Sequence, residues 1–544
     1  MPVESTTQAP IHRRAVVADF AFLSLLLVAW YIYVGPIVIR DRMVGSDVFR
    51  DVGSAMNILH GEFLTDPAYV GETIWYPPLG AALAAVTSRL FDVPPEDYFR
   101  WSPLFLNWLI PVGLYVVVRI TWNRRAAVVS TVALLLAMPW WQVEVAHGQS
   151  AIHAVVGGWV SLLLYAQAER RRSYGWAVAC GAWQGLSFWH HPFVPAVLAA
   201  AFVLQADWTA RRSGEKDEPA VRQVQKQLIG RNAIVAGVTL LIAAPILFLI
   251  LRGPVLNPDP REYIAGELAT VRFAILGGNP WLWGMGLAGV VACARSVDRG
   301  PRLLLCCLLL TVVGQVPGYL RLYSGEWAKS VPILVPHEFQ RLFQLGWAMA
   351  IGIGVDSIID WITARVAGHR KQATAASGLT IAACLLTGIW WVGDVPENLR
   401  RYLVPIGDPP GWVEAGDWVR RHAELNDVFA CEPDLALRWL NAKTGRKAWI
   451  VPPGHSNPRV DWWERARVLR LMGEAPTAEA LWRLAQKHDI QYLVPSPNWN
   501  PVPLRNYSNK SEETARYFRV AYQGSGAMPI YEVLPKPEGR QSDP

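Results

Sequence analysis

Charge is scarce in this chain. Only 17% of its 544 residues are Asp, Glu, Lys or Arg, against roughly 25% in soluble domains, so a large part of it avoids water. Cysteine is scarce too: there are six, with no CxxC pair and no zinc-ligand spacing. Cys180, Cys293, Cys306, Cys307 and Cys384 lie in apolar runs and Cys431 stands alone in the polar C-terminal part, which argues against a disulfide framework or a structural metal. Sustained heptads are missing, which excludes a coiled coil, and no internal repeat is evident. What is present is tryptophan, 27 residues of it, within 11% aromatics; that excludes disorder. Hydrophobic residues make up 52% of the chain, yet the mean hydropathy is only +0.19. Strongly apolar segments diluted by a polar domain account for both values.

Apolar stretches recur near 15–39, 102–120, 126–142, 151–168, 174–190, 192–206, 232–251, 280–294, 302–320, 339–361 and 374–392. Each is weighed against the roughly 20 residues needed to cross a bilayer, and together they predict about 11 transmembrane helices. The first has an apolar part too long for a signal peptide and no small-residue cleavage site after it. Net charge is +7, and its distribution tests the spans independently. Arg13-Arg14, Arg124-Arg125, Arg170-Arg171-Arg172, the 211–231 stretch, Arg295/Arg299/Arg302 and Arg365/Arg370/Lys371 occupy alternate loops. All of these fall on the cytoplasmic side if the N-terminus is inside. The basic excess then reads as orientation, and nucleic acid drops out as a partner. The same orientation places 40–101, a short loop at 143–150, 252–279, 321–338 and everything after about 393 outside the cytoplasmic (inner) membrane.

The chain thus divides at sequence level into 1–393, a polytopic module carrying the external loop 40–101, and 394–544, an extracytoplasmic C-terminal α/β domain. Helical patterns at 410–424, 461–472 and 477–488 alternate with strand-like runs at 427–431, 447–452, 490–495, 517–522 and 528–534. That alternation is the basis for the α/β assignment. Segment 77–91 is apolar but short, and Arg89 interrupts it; it is expected to be a juxtamembrane or re-entrant helix.

The most informative stretch is Gly45–Gly61 in the first external loop. Wound as a helix, it puts Val48, Val52, Ala55, Met56 and Leu59 on one face, with Asp47, Asp51 and Ser54 about a third of a turn away. Such a helix would lie on the membrane surface and hold two carboxylates above it. Asp47 also suits the helix dipole, and Asp51 is placed to pair with Arg50. Further on come Thr73-Ile74-Trp75-Tyr76-Pro77-Pro78-Leu79-Gly80 and Gly185-Leu186-Ser187-Phe188-Trp189-His190-His191-Pro192.

A first span, an external loop opening with an Asp on a short helix, and a Tyr-Pro-Pro-Leu segment re-entering the membrane resemble the GT-C glycosyltransferases. These include the protein O-mannosyltransferases and the lipid A aminoarabinose transferases. The resemblance covers residues 15–210 best. It implies a mainly α GT-C-like fold and transfer of a sugar from a polyprenyl-phosphate donor, with inversion, to an acceptor protein, lipid or glycan outside the membrane. The motifs depart in two places. Asp47-Val48 stands where many mannosyltransferases have Asp-Glu, and Trp75-Tyr76 where aminoarabinose transferases have a Glu before Pro-Pro.

The proposed chemistry needs a base for the acceptor oxygen and a cation for the leaving phosphate. Asp47 is the first candidate base and Asp51 the second. Arg341, in Pro336-His337-Glu338-Phe339-Gln340-Arg341, resembles family segments that place a cation over the donor phosphate, with His337 beside it. Substrate-facing candidates are Tyr76, Glu144, His147, Gln149, His190 and His455, the last in the Pro/Gly-rich loop Pro452–Arg459. The residues specify no particular cofactor; a divalent metal ion is the one left open, with His337 and Glu338 as its candidate ligands. Two other readings stand beside the enzyme: a transporter or binding protein for polyprenyl-linked substrates without bond breaking, and a family member that has lost catalysis. Transporters concentrate ionisable sites at the midplane, whereas here the charged candidates cluster at the external ends of nearly charge-free spans.

Overall fold

Ten of the eleven apolar stretches coil into helices, because a backbone in hydrocarbon must satisfy its own hydrogen bonds. The computed structural model describes residues 9–39, 43–45, 47–138, 141, 144, 146–213, 219–252, 280–296, 298–317, 336–365, 403–405, 410–505, 512–524 and 529–535; the expected span at 374–392 lies outside them. Among the described residues, five helices are long and apolar enough to cross a membrane: Val16–Ile39, Pro95–Thr121, Ser150–Arg171, Lys226–Leu251 and Glu338–Arg365. The others are shorter, among them Arg124–Ala137, Tyr174–Phe188, Phe193–Ser213, Pro280–Arg295 and Arg299–Val313. The protein is a mostly helical, multi-pass membrane protein.

The chain forms two compact units. One comprises Met1–Gly45, Arg100–Pro245 and Pro260–Val404; the other comprises Ser46–Phe99, Ile246–Asp259 and Pro405–Pro544.

In the first unit, Val16–Ile39 and the part of Lys226–Leu251 up to Pro245 are mostly exposed, and what they expose includes Phe20, Leu25, Ile32, Leu240 and Leu241, as a lipid-facing surface requires. Glu338–Arg365 is the opposite, with 83% of its apolar window buried. Two glycines let it sit that deep. A Cβ at Gly354 would collide with the Met285 carbonyl oxygen, and one at Gly289 with that of Ala350, so this helix and Pro280–Arg295 meet backbone to backbone, as small residues permit between membrane helices. Gly289→Val is therefore expected to destabilise the fold by more than about 2 kcal/mol through overpacking. Gly237→Ala, where a Cβ meets nothing, serves as its control. Melting temperature in detergent checks the pair, and equal melting of the two variants would refute the packing argument.

Several basic residues read as loop charges are paired in this unit. Arg124 Nε is 2.6 Å from Asp19, Arg231 is 2.9 Å from Glu169, and Arg125 binds the buried Asp356. Asn123 caps Arg124–Ala137 by accepting from the Ala126 N–H at 2.9 Å.

The second unit is built on a five-stranded sheet of order Lys447–Ala448, Val428–Cys431, Tyr492–Val494, Ile530–Val533, Phe518–Tyr522. The first three strands run parallel and the last two pairings are antiparallel. Helices Trp462–Gly473 and Ala478–Lys487 begin on the caps Asp461 and Thr477, and bury Val468, Leu469, Met472, Leu481 and Ala485 with Leu493 and Phe518 of the sheet. These elements fall where alternation in the sequence places them.

The helix Asp47–Leu59 belongs to this unit and differs from the surface amphipath expected of it. Val48, Phe49, Arg50, Asp51, Val52, Gly53, Ser54, Ala55 and Asn57 are all buried. The polar face is covered because its partners come from elsewhere in the unit: Gly53 rests against Asn441 and Pro67, and Asn57 donates to the Asp66 carbonyl at 3.1 Å.

Candidate functional site

The candidate residues collect in two places, one in each unit. In the second unit they gather at the start of Asp47–Leu59. Asp51 is 2% exposed and accepts from Arg50 Nε at 3.1 Å and from its terminal nitrogen at 3.0 Å. The Arg50 guanidinium also lies 3.5 Å from the centroid of the Tyr76 ring. Burial would discharge that guanidinium, but Tyr76, Asp51 and Asp47 together keep its charge. One turn earlier, Asp47 is different: its side chain is 33% exposed, and its Oδ1 stands 3.5 Å from His455 Nδ1. Of the two acids, only Asp47 presents a carboxylate to solvent.

His455 reaches Asp47 because its loop is fastened to the segment after the helix. Asn457 donates to Asp66 Oδ2 at 2.9 Å and to the Thr73 carbonyl at 3.1 Å. Ser456 and Tyr69 share a 2.7 Å hydroxyl bond, and Arg459 donates to Thr73 Oγ1 at 2.8 Å. Asp66 is buried, and burial pushes its carboxyl up to about 6 against bonds from the Ala68 and Tyr69 N–H groups and Asn457. Lys447, 2% exposed, closes the arrangement through the Asp66 carbonyl at 2.9 Å and Glu62 at 3.3 Å. His455 is itself mostly buried, which lowers its pKa; Asp47, Asp51 and Asp434 pull the other way, and Arg50 adds to the lowering. Its imidazole is therefore neutral near pH 7.

In the first unit Glu144, Arg341, Glu338, His147, Gln149 and His191 form a second, buried cluster. Glu144 accepts from Arg341 at 2.9 Å through one oxygen and from Gln149 at 3.0 Å through the other, with His147 Nδ1 3.7 Å away. Burial would raise the Glu144 pKa, but the Arg341 and His147 charges outweigh it and hold the carboxyl below its usual range. Arg341 also donates to Glu338 at 2.9 Å, and Glu338 is 3.5 Å from His191 Nε2. The frame is firm: Trp141 Nε1 donates to the Arg341 carbonyl at 2.9 Å and Asn107 to that of His147 at 2.7 Å.

Other candidates fall elsewhere. His190, in the turn between Tyr174–Phe188 and Phe193–Ser213, lies edge-on to His153 with 6.2 Å between centroids; the neighbouring His191 is the one that joins the cluster. The His337 side chain lies outside the described residues. Among the described residues no three His, Cys, Asp or Glu side chains are grouped as a metal would need, and Glu338 is engaged by Arg341 and His191. The sequence signals His191 only through the His-His-Pro break, which does not show that the ring reaches Glu338.

Residues 76–219 match the family model described as dolichyl-phosphate-mannose-protein mannosyltransferase. No curated protein matches the chain. Among solved structures, the chain is similar to the oligosaccharyltransferase AglB of Archaeoglobus fulgidus, solved with an inhibitory peptide and a dolichol-phosphate. The TM-score is 0.56 at 12% identity, over 87% of this chain and 69% of that one. It is similar to ArnT of Cupriavidus metallidurans bound to undecaprenyl phosphate, with TM-score 0.53 at 14% identity over 96% and 99%. It also resembles the mycobacterial arabinofuranosyltransferase AftD, with TM-score 0.52 at 14% identity over 95% of this chain and 40% of that one. At these identities the likeness is one of fold. Together with the family match it bears out the resemblance to GT-C membrane glycosyltransferases.

Proposed function

We propose that the chain is a GT-C glycosyltransferase that takes a sugar from a polyprenyl-phosphate donor and transfers it, with inversion, to a protein, lipid or glycan acceptor. The reading assigns about eleven spans, the N-terminus inside and residues 394–544 outside an inner membrane. The observation that carries it is Asp47: a part-exposed carboxylate in the first turn of a buried helix, flanked by His455, in a chain of this fold. As the acceptor hydroxyl oxygen bonds to the sugar's anomeric carbon, Asp47 takes its proton. The bond to phosphate breaks and polyprenyl phosphate leaves with the bonding pair. Asp51, turned inward, holds Arg50 against Tyr76.

Arg341 is assigned to the donor phosphate, where a guanidinium offers paired N–H donors to developing charge. It is held by two carboxylates, so a phosphate must displace one. Glu338 is the more exposed of the two, 12% against 4% for Glu144, and His191 stands ready to receive it. Glu144 then remains as the anchor.

His455 is a positioning residue for Asp47. His455→Gln is expected to lower kcat about tenfold with KM unchanged: His455 Nδ1 stands 3.5 Å from the Asp47 carboxylate with no hydrogen-bond partner among the described residues, a contact that tightens into an orienting bond in the reacting complex. His455→Asn, whose amide nitrogen falls near the Nδ1 position, should recover most of the rate. Transfer assayed with a radiolabelled polyprenyl-phosphate sugar checks both. Identical rates for the two variants would remove the orienting role.

A further inference from the structure

Two glutamines on Glu338–Arg365 are buried without an explanation in the fold. Gln340 is 0% exposed and Gln344 2%. In each, both the amide nitrogen and the amide oxygen are without a hydrogen-bond partner among the described residues. A buried amide left unpaired is costly, and two such groups four residues apart on one helix call for an explanation.

Their placement supplies one. At 100° per residue Gln340, Arg341 and Gln344 fall within about a 100° sector of the helix. The two amides are therefore on the side from which Arg341 projects, not on the apolar side that carries Leu342, Leu345, Gly346 and Met349. At 1.5 Å per residue they stand about 6 Å apart along the axis, a spacing comparable to the width of a sugar ring. The chemistry narrows the ligand further. An ionised phosphate accepts hydrogen bonds but has none to give, so it would leave both amide oxygens unsatisfied. A sugar hydroxyl both donates and accepts, and so completes each amide.

We propose that Gln340 and Gln344 form a subsite that reads the hydroxyls of the donor sugar, beside the phosphate held by Arg341. This rests on the transferase reading above and deepens it. Arg341 binds the part common to every polyprenyl phosphate; the glutamines bind the part that distinguishes one donor from another. The cost of two unpaired amides in the free protein is what the bound sugar relieves.

The test uses the full-length protein in lipid nanodiscs, with undecaprenyl phosphate and a panel of undecaprenyl-phosphate hexoses and pentoses as probes. Gln340→Met and Gln344→Met keep the side-chain shape and remove the polar atoms. Each is expected to weaken binding of the preferred sugar-bearing lipid about tenfold while leaving the affinity for undecaprenyl phosphate within twofold. Each should also raise the melting temperature of the free protein, because an unsatisfied amide has been removed. Arg341→Ala should weaken both lipids together. Methionine variants that melt lower and discriminate as the wild type does would overturn the subsite while leaving the transferase reading intact. A wild-type protein with no preference for any glycosylated lipid would overturn both.

Discussion

Asp47→Asn is expected to lower the kcat of sugar transfer by about 10²- to 10⁴-fold, the range a positioned general base supplies, in protein that folds as the wild type does. The second half of that expectation is what makes it informative. Asp47 is one-third exposed, whereas Asp51 is almost fully buried. Loss of the Asp47 carboxylate removes one favourable charge at a helix N-terminus, about 0.3–1 kcal/mol. Asp51→Asn behaves in the opposite way. Asp51 is the close partner of a buried guanidinium, at 3.0 Å with side chains 3% and 8% exposed. Removing its charge strands Arg50 and costs about 3–5 kcal/mol of stability. Melting curves and turnover measured side by side separate the two: a folded but inactive Asp47 variant and an unstable Asp51 variant. An Asp47→Asn protein that turns over normally would end its assignment as the base, and full activity in both variants would take the base away from this helix altogether.

The contrast between these two acids also shows what a sequence can and cannot display. Both appear in one dimension as carboxylates on the polar side of a short amphipathic helix, because a 100° periodicity reports only the helix's own faces. Which of them is buried depends on what covers those faces. Here the cover includes Pro67, Tyr76 and Asn441, up to nearly 400 residues away along the chain. The strands of the tail were legible for the converse reason. Phe429, Leu493 and Tyr531 sit in short apolar runs with their own turn signals, so local alternation is enough to place them. The loop at Pro452–Arg459 was visible as a turn rich in polar groups, but its clasp on Asp66, Tyr69 and Thr73 rests on pairings across 384 to 391 residues. Glu144 and Arg341 each stand out in the sequence as candidates, but their 197-residue separation hides that they are one ion pair. Gln340 and Gln344 carried no signal at all: in sequence, an amide with a partner and an amide without one look the same.

Arg341→Met is expected to fail twice, and the two failures can be separated. In the free protein the guanidinium holds Glu144 and Glu338, whose side chains are 4% and 12% exposed. Its removal leaves a buried carboxylate uncompensated, at a cost of about 3–5 kcal/mol. Donor affinity falls as well, because the phosphate loses its cation. A single variant cannot tell a missing phosphate ligand from a collapsed site. Pairing it with Glu144→Gln can, since the amide keeps the bond to Gln149 and removes the stranded charge. The double variant should regain most of the lost melting temperature, a coupling of more than about 2 kcal/mol for groups in direct contact, while undecaprenyl phosphate binding stays as weak as in Arg341→Met alone. Recovery of stability without recovery of binding assigns Arg341 to the phosphate as well as to the fold. If both return together, the cation is structural, and the phosphate is held by other groups.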